Sequence, residues 1–143
     1  MKRRRIQQRS EKFKKRAAEA RPTRLALVAR VGCCEVCGTN ARRPRHSVSE
    51  QNDLHCHEVL PGGLRQACLD VPSALIVACN HCNQGPLHDK RIWPLARQLA
   101  LIKQQDPERY DRELVLRIRN PDAMKFVTEE DVDHWIEDST WQI

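Results

Sequence analysis

The sequence predicts an α+β fold: a small zinc-stapled core of two strands and a helix, with a basic N-terminal arm and C-terminal helices. Three observations predict it. Four of the seven cysteines fall into two C-x-x-C pairs, Cys34/Cys37 and Cys79/Cys82, with 41 residues between them. Two apolar runs inside that interval read as strands, and the segments after it carry helical apolar spacing. The charge is unevenly spread. Residues 1–45 hold 15 Lys and Arg against 3 Asp and Glu, whereas residues 46–143 hold 10 against 16. A basic arm attached to a separate body follows from that asymmetry. The expected division is a helical or disordered arm over 1–22, a core over 23–92 and a helical extension over 93–143.

Residues 1–20 are rich in Lys, Arg, Gln, Glu and Ala, with Ile6 and Phe13 nearly their only large apolar side chains. Without an apolar stripe, an arm that orders on binding is expected rather than a docked helix. Pro22 and Thr23 open a short helical segment that offers Leu25, Leu27, Val28 and Val31 to a core, and Gly32 ends it. Asp53 to Leu60 reads as a strand running into a turn at Pro61-Gly62-Gly63, and Ala74 to Ala78 as a second strand. Pro94 reads as the first residue of a helix carrying Leu95, Leu99 and Ile102. Asp106 is expected to cap the next helix, with Tyr110, Leu114 and Ile118 along one face and Asn120-Pro121 as its stop. Thr128 with Asp131 resembles a capping box for a last helix bearing Val132, Trp135 and Ile136.

Each C-x-x-C loop can curl two thiolates toward one point, and two loops complete a tetrahedral four-cysteine zinc site. The alternative is two unrelated pairs of buried cysteines, which paired spacing of this kind disfavours. Gly38, directly after the first pair, suits a tight knuckle turn. Cys33 forms no such pair, and Cys56 and Cys68 read as small apolar fillers or incidental thiols. In the first strand, alternation puts His55 and His57 on one face, with Glu58 following. Two imidazoles and a carboxylate there can serve as metal ligands and general base. They can equally be polar side chains of a surface strand, or ligands of a second structural zinc.

C-x-x-C-G, a His-containing strand followed by Pro-Gly-Gly, and an apolar strand entering C-x-x-C-N together resemble the zinc-containing HNH endonucleases. The likeness covers roughly residues 25–90. It implies a treble-clef-like ββα-metal core that hydrolyses DNA phosphodiester bonds with one catalytic divalent ion, Mg2+ or Mn2+, with Zn2+ or Ni2+ as substitutes. Placed on Pro61, the family register puts His57 at the metal position and Glu58 at the general base; a second register makes His57 the base. His55, His57, Asn83 and His88 are then the candidate ligands of the catalytic ion. Two departures stand out: Glu58 occupies a position usually held by His, and the middle Asn falls near Ser73 or Ala74. The arrangement also resembles small phage recombination nucleases that act on branched DNA. In that picture Lys2, Arg3, Arg4, Arg5, Lys14, Lys15, Arg16, Arg42, Arg43 and Arg45 grip phosphates. The expected partner is DNA, branched or containing single strands, with a protein partner or homodimer left open.

No run of 18 apolar residues is present, so no membrane span is expected. No apolar signal core follows the basic N-terminus, so a cytoplasmic or nucleoid-associated protein is expected rather than a secreted one. Two other functions fit the same residues. One is a zinc-stapled nucleic-acid-binding module whose nuclease site has decayed. The other is an adaptor working through the acidic C-terminal helices.

Overall fold

The computed structural model describes residues 10–138. It is a mixed helical structure around one two-stranded sheet. In chain order the elements are α1 (Glu11–Val31), α2 (Ser49–Asn52), β1 (Leu54–Glu58), α3 (Arg65–Cys68), β2 (Leu75–Cys79), α4 (Asn80–Gln84), α5 (Leu95–Gln105), α6 (Arg112–Arg119) and α7 (Glu129–Glu137). The helices α2, α3 and α4 are single turns, and 3-10 turns fill several connections.

The strands β1 and β2 pair antiparallel, with His57 opposite Ile76 and Glu58 opposite Leu75. The two faces of this ribbon meet different helices. Cys56, Leu75 and Val77 pack with Leu27 of α1 on one face. Ile76 and Ala78 belong to the larger core with Trp93, Leu99, Ile102, Val115 and Val132 on the other. Every residue of β2 is buried, which accounts for its unbroken apolar run.

The first helix departs from expectation. It runs unbroken through Pro22, so the residues expected to form an arm share a helix with residues of the core. Ser10 caps it by accepting from the Phe13 N–H, and Gly32 closes it at φ 73°. Polar docking replaces the missing apolar stripe. Arg16 makes a two-pronged pair with Asp70 at 2.9 and 2.5 Å and donates to the Gln66 carbonyl. Arg24 donates to the carbonyls of Leu69 and Cys56. Such fork-shaped contacts fix orientation as well as adding energy. Pro22 costs the helix one N–H, but it lies on the exposed side.

The helical extension is shifted from its expected phase. Asp106 closes α5 instead of opening α6, because the residue before a proline is pushed out of the helical region. Asp111 is the cap of α6, accepting from the Leu114 N–H at 3.0 Å. The helix buries Val115 and Leu116 and leaves Leu114 exposed. Pro94 precedes α5 as its cap instead of being its first residue. The capping box of Thr128 and Asp131 forms as read from the sequence. Among the described residues no helix is long and apolar enough to cross a membrane.

One buried ion pair joins the core to this extension. Arg109 Nη2 donates to both carboxylate oxygens of Glu35 at 2.6 and 2.8 Å, and Glu35 accepts a further bond from the Val77 N–H. Both side chains are almost wholly buried. Burial raises the Glu35 carboxyl above its ordinary range, and Arg109 pulls it back down. Replacing Arg109 by Leu strands the carboxylate and should cost about 3–5 kcal/mol near neutral pH. A raised folded-state pKa favours the protonated folded form, so the stability this group lends is present at low pH and lost as pH rises through that pKa. The deficit of Arg109→Leu should therefore shrink on acidification. Urea denaturation of both proteins at about pH 5 and about pH 7.5 measures it; equal deficits would place the cost in packing rather than charge.

Candidate metal centre and adjoining cavity

The two knuckles meet at the end of the ribbon. The first follows α1 through Gly32, and the second is the junction of β2 with α4. The sulfur atoms of Cys34, Cys37, Cys79 and Cys82 all lie within 4.8 Å of one another, with Cys37 and Cys79 at 3.7 Å. Thiolates bound tetrahedrally at about 2.3 Å stand about 3.8 Å apart, so the set fits an ion such as zinc. Each loop supports its own charge: the Cys37 N–H points at Cys34 Sγ and the Cys82 N–H at Cys79 Sγ, both at 3.5 Å. Gly38 takes φ 79°, the left-handed turn that the knuckle needs.

The thiols titrate unequally. A hydrogen bond from Cys82 lowers Cys34 to about 4, while burial pushes Cys37 up to about 11. Cys82 is pushed up still further by sharing its proton with Cys34. Four thiolates in one place repel one another, and a divalent cation relieves that repulsion. By contrast, burial pushes Cys68 up to about 11 and also raises Cys56. Both are buried in apolar clusters.

Two histidines near the cluster had no assigned role. His46 Nε2 lies 3.6 Å from Cys37 Sγ, and its ring stacks on that of His81 at 4.1 Å. Asn52 organises the loop that brings His46 there. Its Oδ1 accepts from Thr39 Oγ1 and from the amides of Arg45 and His46, and its Nδ2 donates to the carbonyls of His46 and Val48. Nothing in the sequence singles out Asn52, since its partners are the Thr39 hydroxyl and four backbone groups of a loop.

On the far side of the sheet from α1 lies a cavity of about 230 Å³ that gathers His57, Glu58, Asn83 and His88, with Arg65 and Lys90 at its walls. The ribbon's alternation turns His57 inward, and α4 carries Asn83 to meet it. His57 Nδ1 is 3.0 Å from Asn83 Oδ1, and Nε2 is 3.0 Å from Gln98 Oε1. The His88 ring stands edge-on to His57 at 5.9 Å. His55 does not join them. It is exposed and lines the groove beside α1 instead.

Gln98 is a site residue that the sequence reading missed. It is fully buried, and its Nε2 donates to the Trp93 carbonyl at 2.9 Å. That bond orients the amide so that Oε1 must accept from His57 Nε2–H. Burial lowers the His57 pKa, despite the hydrogen bonds that raise it, and so favours the neutral ring. A neutral ring with its proton on Nε2 leaves a lone pair on Nδ1, facing Asn83. The signal was a polar residue within the apolar face of Leu95, Leu99 and Ile102.

Glu58 is held between two guanidinium groups. Arg24 Nη1 and Arg65 Nε both lie 3.2 Å from its Oε1. The basic residues named from the sequence are scattered. Lys2, Arg3, Arg4 and Arg5 lie outside the described residues. Lys14 pairs with Glu11, and Lys15 is exposed. Arg16 is spent on Asp70 and serves to dock α1 rather than standing free for phosphate. Arg42, Arg43 and Arg45 are exposed on the loop after the first knuckle. The absent middle Asn has no substitute at Ser73 or Ala74, which form a 3-10 turn before β2.

No protein-family model, curated protein or solved structure matches this chain.

The cluster should hold one tightly bound ion per chain. Cys79→Ser, or stripping with a strong chelator, should abolish cooperative melting, because such an ion contributes about 10–16 kcal/mol in small domains. Metal analysis beside thermal denaturation checks this. Cooperative melting at an unchanged temperature in the metal-free protein would show that the cysteines only pack.

Proposed function

We propose that the chain is a metal-dependent endonuclease of HNH type, with zinc on the four cysteines of a treble-clef-like core and DNA as its substrate. One observation carries the proposal: His57 Nδ1 and Asn83 Oδ1 face each other at 3.0 Å beside the cysteine cluster. With the His57 proton on Nε2, both atoms are acceptors, and together they can ligate one cation. Neighbouring ligands of an octahedral ion bound at about 2.1 Å are about 3.0 Å apart. His57 and Asn83, flanked by His88, would hold the catalytic ion, which supplies positive charge against the phosphate and the leaving oxygen.

The chain's own residues do the rest. Gln98 holds the His57 proton on Nε2 and keeps Nδ1 available, the usual service of a group behind a metal-bound imidazole. Glu58 stands at the general-base position of the register that starts from Pro61. Arg24 and Arg65 converge on its Oε1, and Oε2 would be the oxygen that accepts a proton from water. Arg65 and Lys90 at the cavity wall favour an anionic phosphodiester. A protein working on DNA would be expected in the cytoplasm or at the nucleoid.

Plasmid nicking in Mg2+ or Mn2+ tests this reading. His57→Ala should abolish cutting while the cysteine-bound ion and the fold persist. Glu58→Gln should slow cutting about 10²–10⁴-fold with metal binding intact. Salt-sensitive DNA binding by the wild type, with no cutting in any divalent ion, would leave a zinc-stapled binding module as the better account. Gln98→Leu should weaken the second divalent site about 10–100-fold by calorimetry, with no change at the cysteines.

A further inference from the structure

A groove of about 300 Å³ runs between α1 and β1 and meets the His57 cavity at its end. Glu58 and Arg65 line both, so the two spaces share one sill. Its lining joins apolar Val28, Leu54 and Leu69 to the guanidinium groups of Arg21, Arg24 and Arg65. Arg21, Arg24 and Arg65 face it against a single acid, Glu58, which Arg24 and Arg65 already neutralise. Leu25 stands 56% exposed at its mouth, so apolar surface is offered to solvent without any rearrangement. Near Arg65 the guanidinium lies 5.9 Å above the Phe13 ring.

We propose that this groove takes an unpaired nucleobase of the DNA strand whose phosphate enters the His57 cavity, so that the substrate is single-stranded or flapped DNA. This rests on the nuclease proposal above and names its substrate class. A flat apolar occupant on an anionic backbone matches a lining of apolar and cationic side chains. Phe13 with Arg65 makes an aromatic and guanidinium platform of the kind on which bases stack without regard to sequence. A base held in a duplex presents only its edges and cannot enter. The volume is at the small end for ligand sites, which run from about 300 to 1,000 Å³, and suits one base rather than a base pair.

The test uses the full, zinc-loaded chain with Ca2+ in place of the catalytic ion. The probes are a flapped DNA carrying 2-aminopurine at the first unpaired position and a fully paired duplex with the same label. The flap should bind about tenfold more tightly than the duplex, with the 2-aminopurine fluorescence quenched on binding. Phe13→Ala should bring the ratio of flap to duplex affinity toward one and abolish the quenching. Leu25→Gln, at an exposed position where folding is not at stake, should lower the same ratio. Unchanged fluorescence with the wild type would overturn the proposal, as would variants that lose flap and duplex affinity equally. Quenching without any cutting in Mg2+ or Mn2+ would keep the groove and remove the nuclease activity. Cutting without quenching would do the reverse.

Discussion

The convergence of four cysteines at one end of a two-stranded ribbon is the constraint on which the other features rest. A ribbon of two strands is marginal by itself in water. Here it must also close a 41-residue interval, with the loop entropy that entails. The knuckles clamp that interval at both ends. Their sulfur atoms lie within 4.8 Å of one another, and a divalent cation relieves the repulsion of four thiolates held that close. The Glu35 carboxylate inside the first knuckle then bonds the Val77 amide and Arg109, so the same loop fastens β2 and the C-terminal helices together.

The cavity inherits its geometry from that frame. Cys79 ends β2 and caps α4, and four residues later Asn83 faces His57. His57 is directed there by the pairing of β1 with β2. A slip of one residue would turn it to the α1 side. Gln98 approaches from α5, a separate element that the ion pair of Glu35 and Arg109 helps to hold against the core.

Charge has two uses in this chain. Arg16 and Arg24 belong to the basic half of the sequence, yet they are spent inside the fold on Asp70, Glu58 and backbone carbonyls. Arg42, Arg43 and Arg45 of the knuckle loop and Arg21 beside the α1 groove are exposed instead. Net charge by itself does not separate these uses. An arginine facing a carboxylate across the fold and one facing solvent look alike in a linear sequence.

The sequence by itself determined the features that depend on local spacing. The two knuckles, the strands entering and leaving them, the Thr128 capping box and the apolar faces of α5 and α7 all follow from periodicity or from short-range ligand geometry. His57 could be named from the alternation of the first strand, whereas Asn83 and His88 were named only through the resemblance to the HNH endonucleases. Only the tertiary structure decided which groups meet across long separations. Gln98 reaches His57 from 41 residues away and Arg109 reaches Glu35 from 74, and neither pairing has a periodic signature. His55 shows the limit from the other side: alternation put it on the His57 face, but only the packing of α1 and the ribbon decided that it stays in solvent. The phase of α6 and the continuity of α1 through Pro22 were likewise settled by docking contacts, because tertiary hydrogen bonds and burial outweigh the local preferences that a sequence displays.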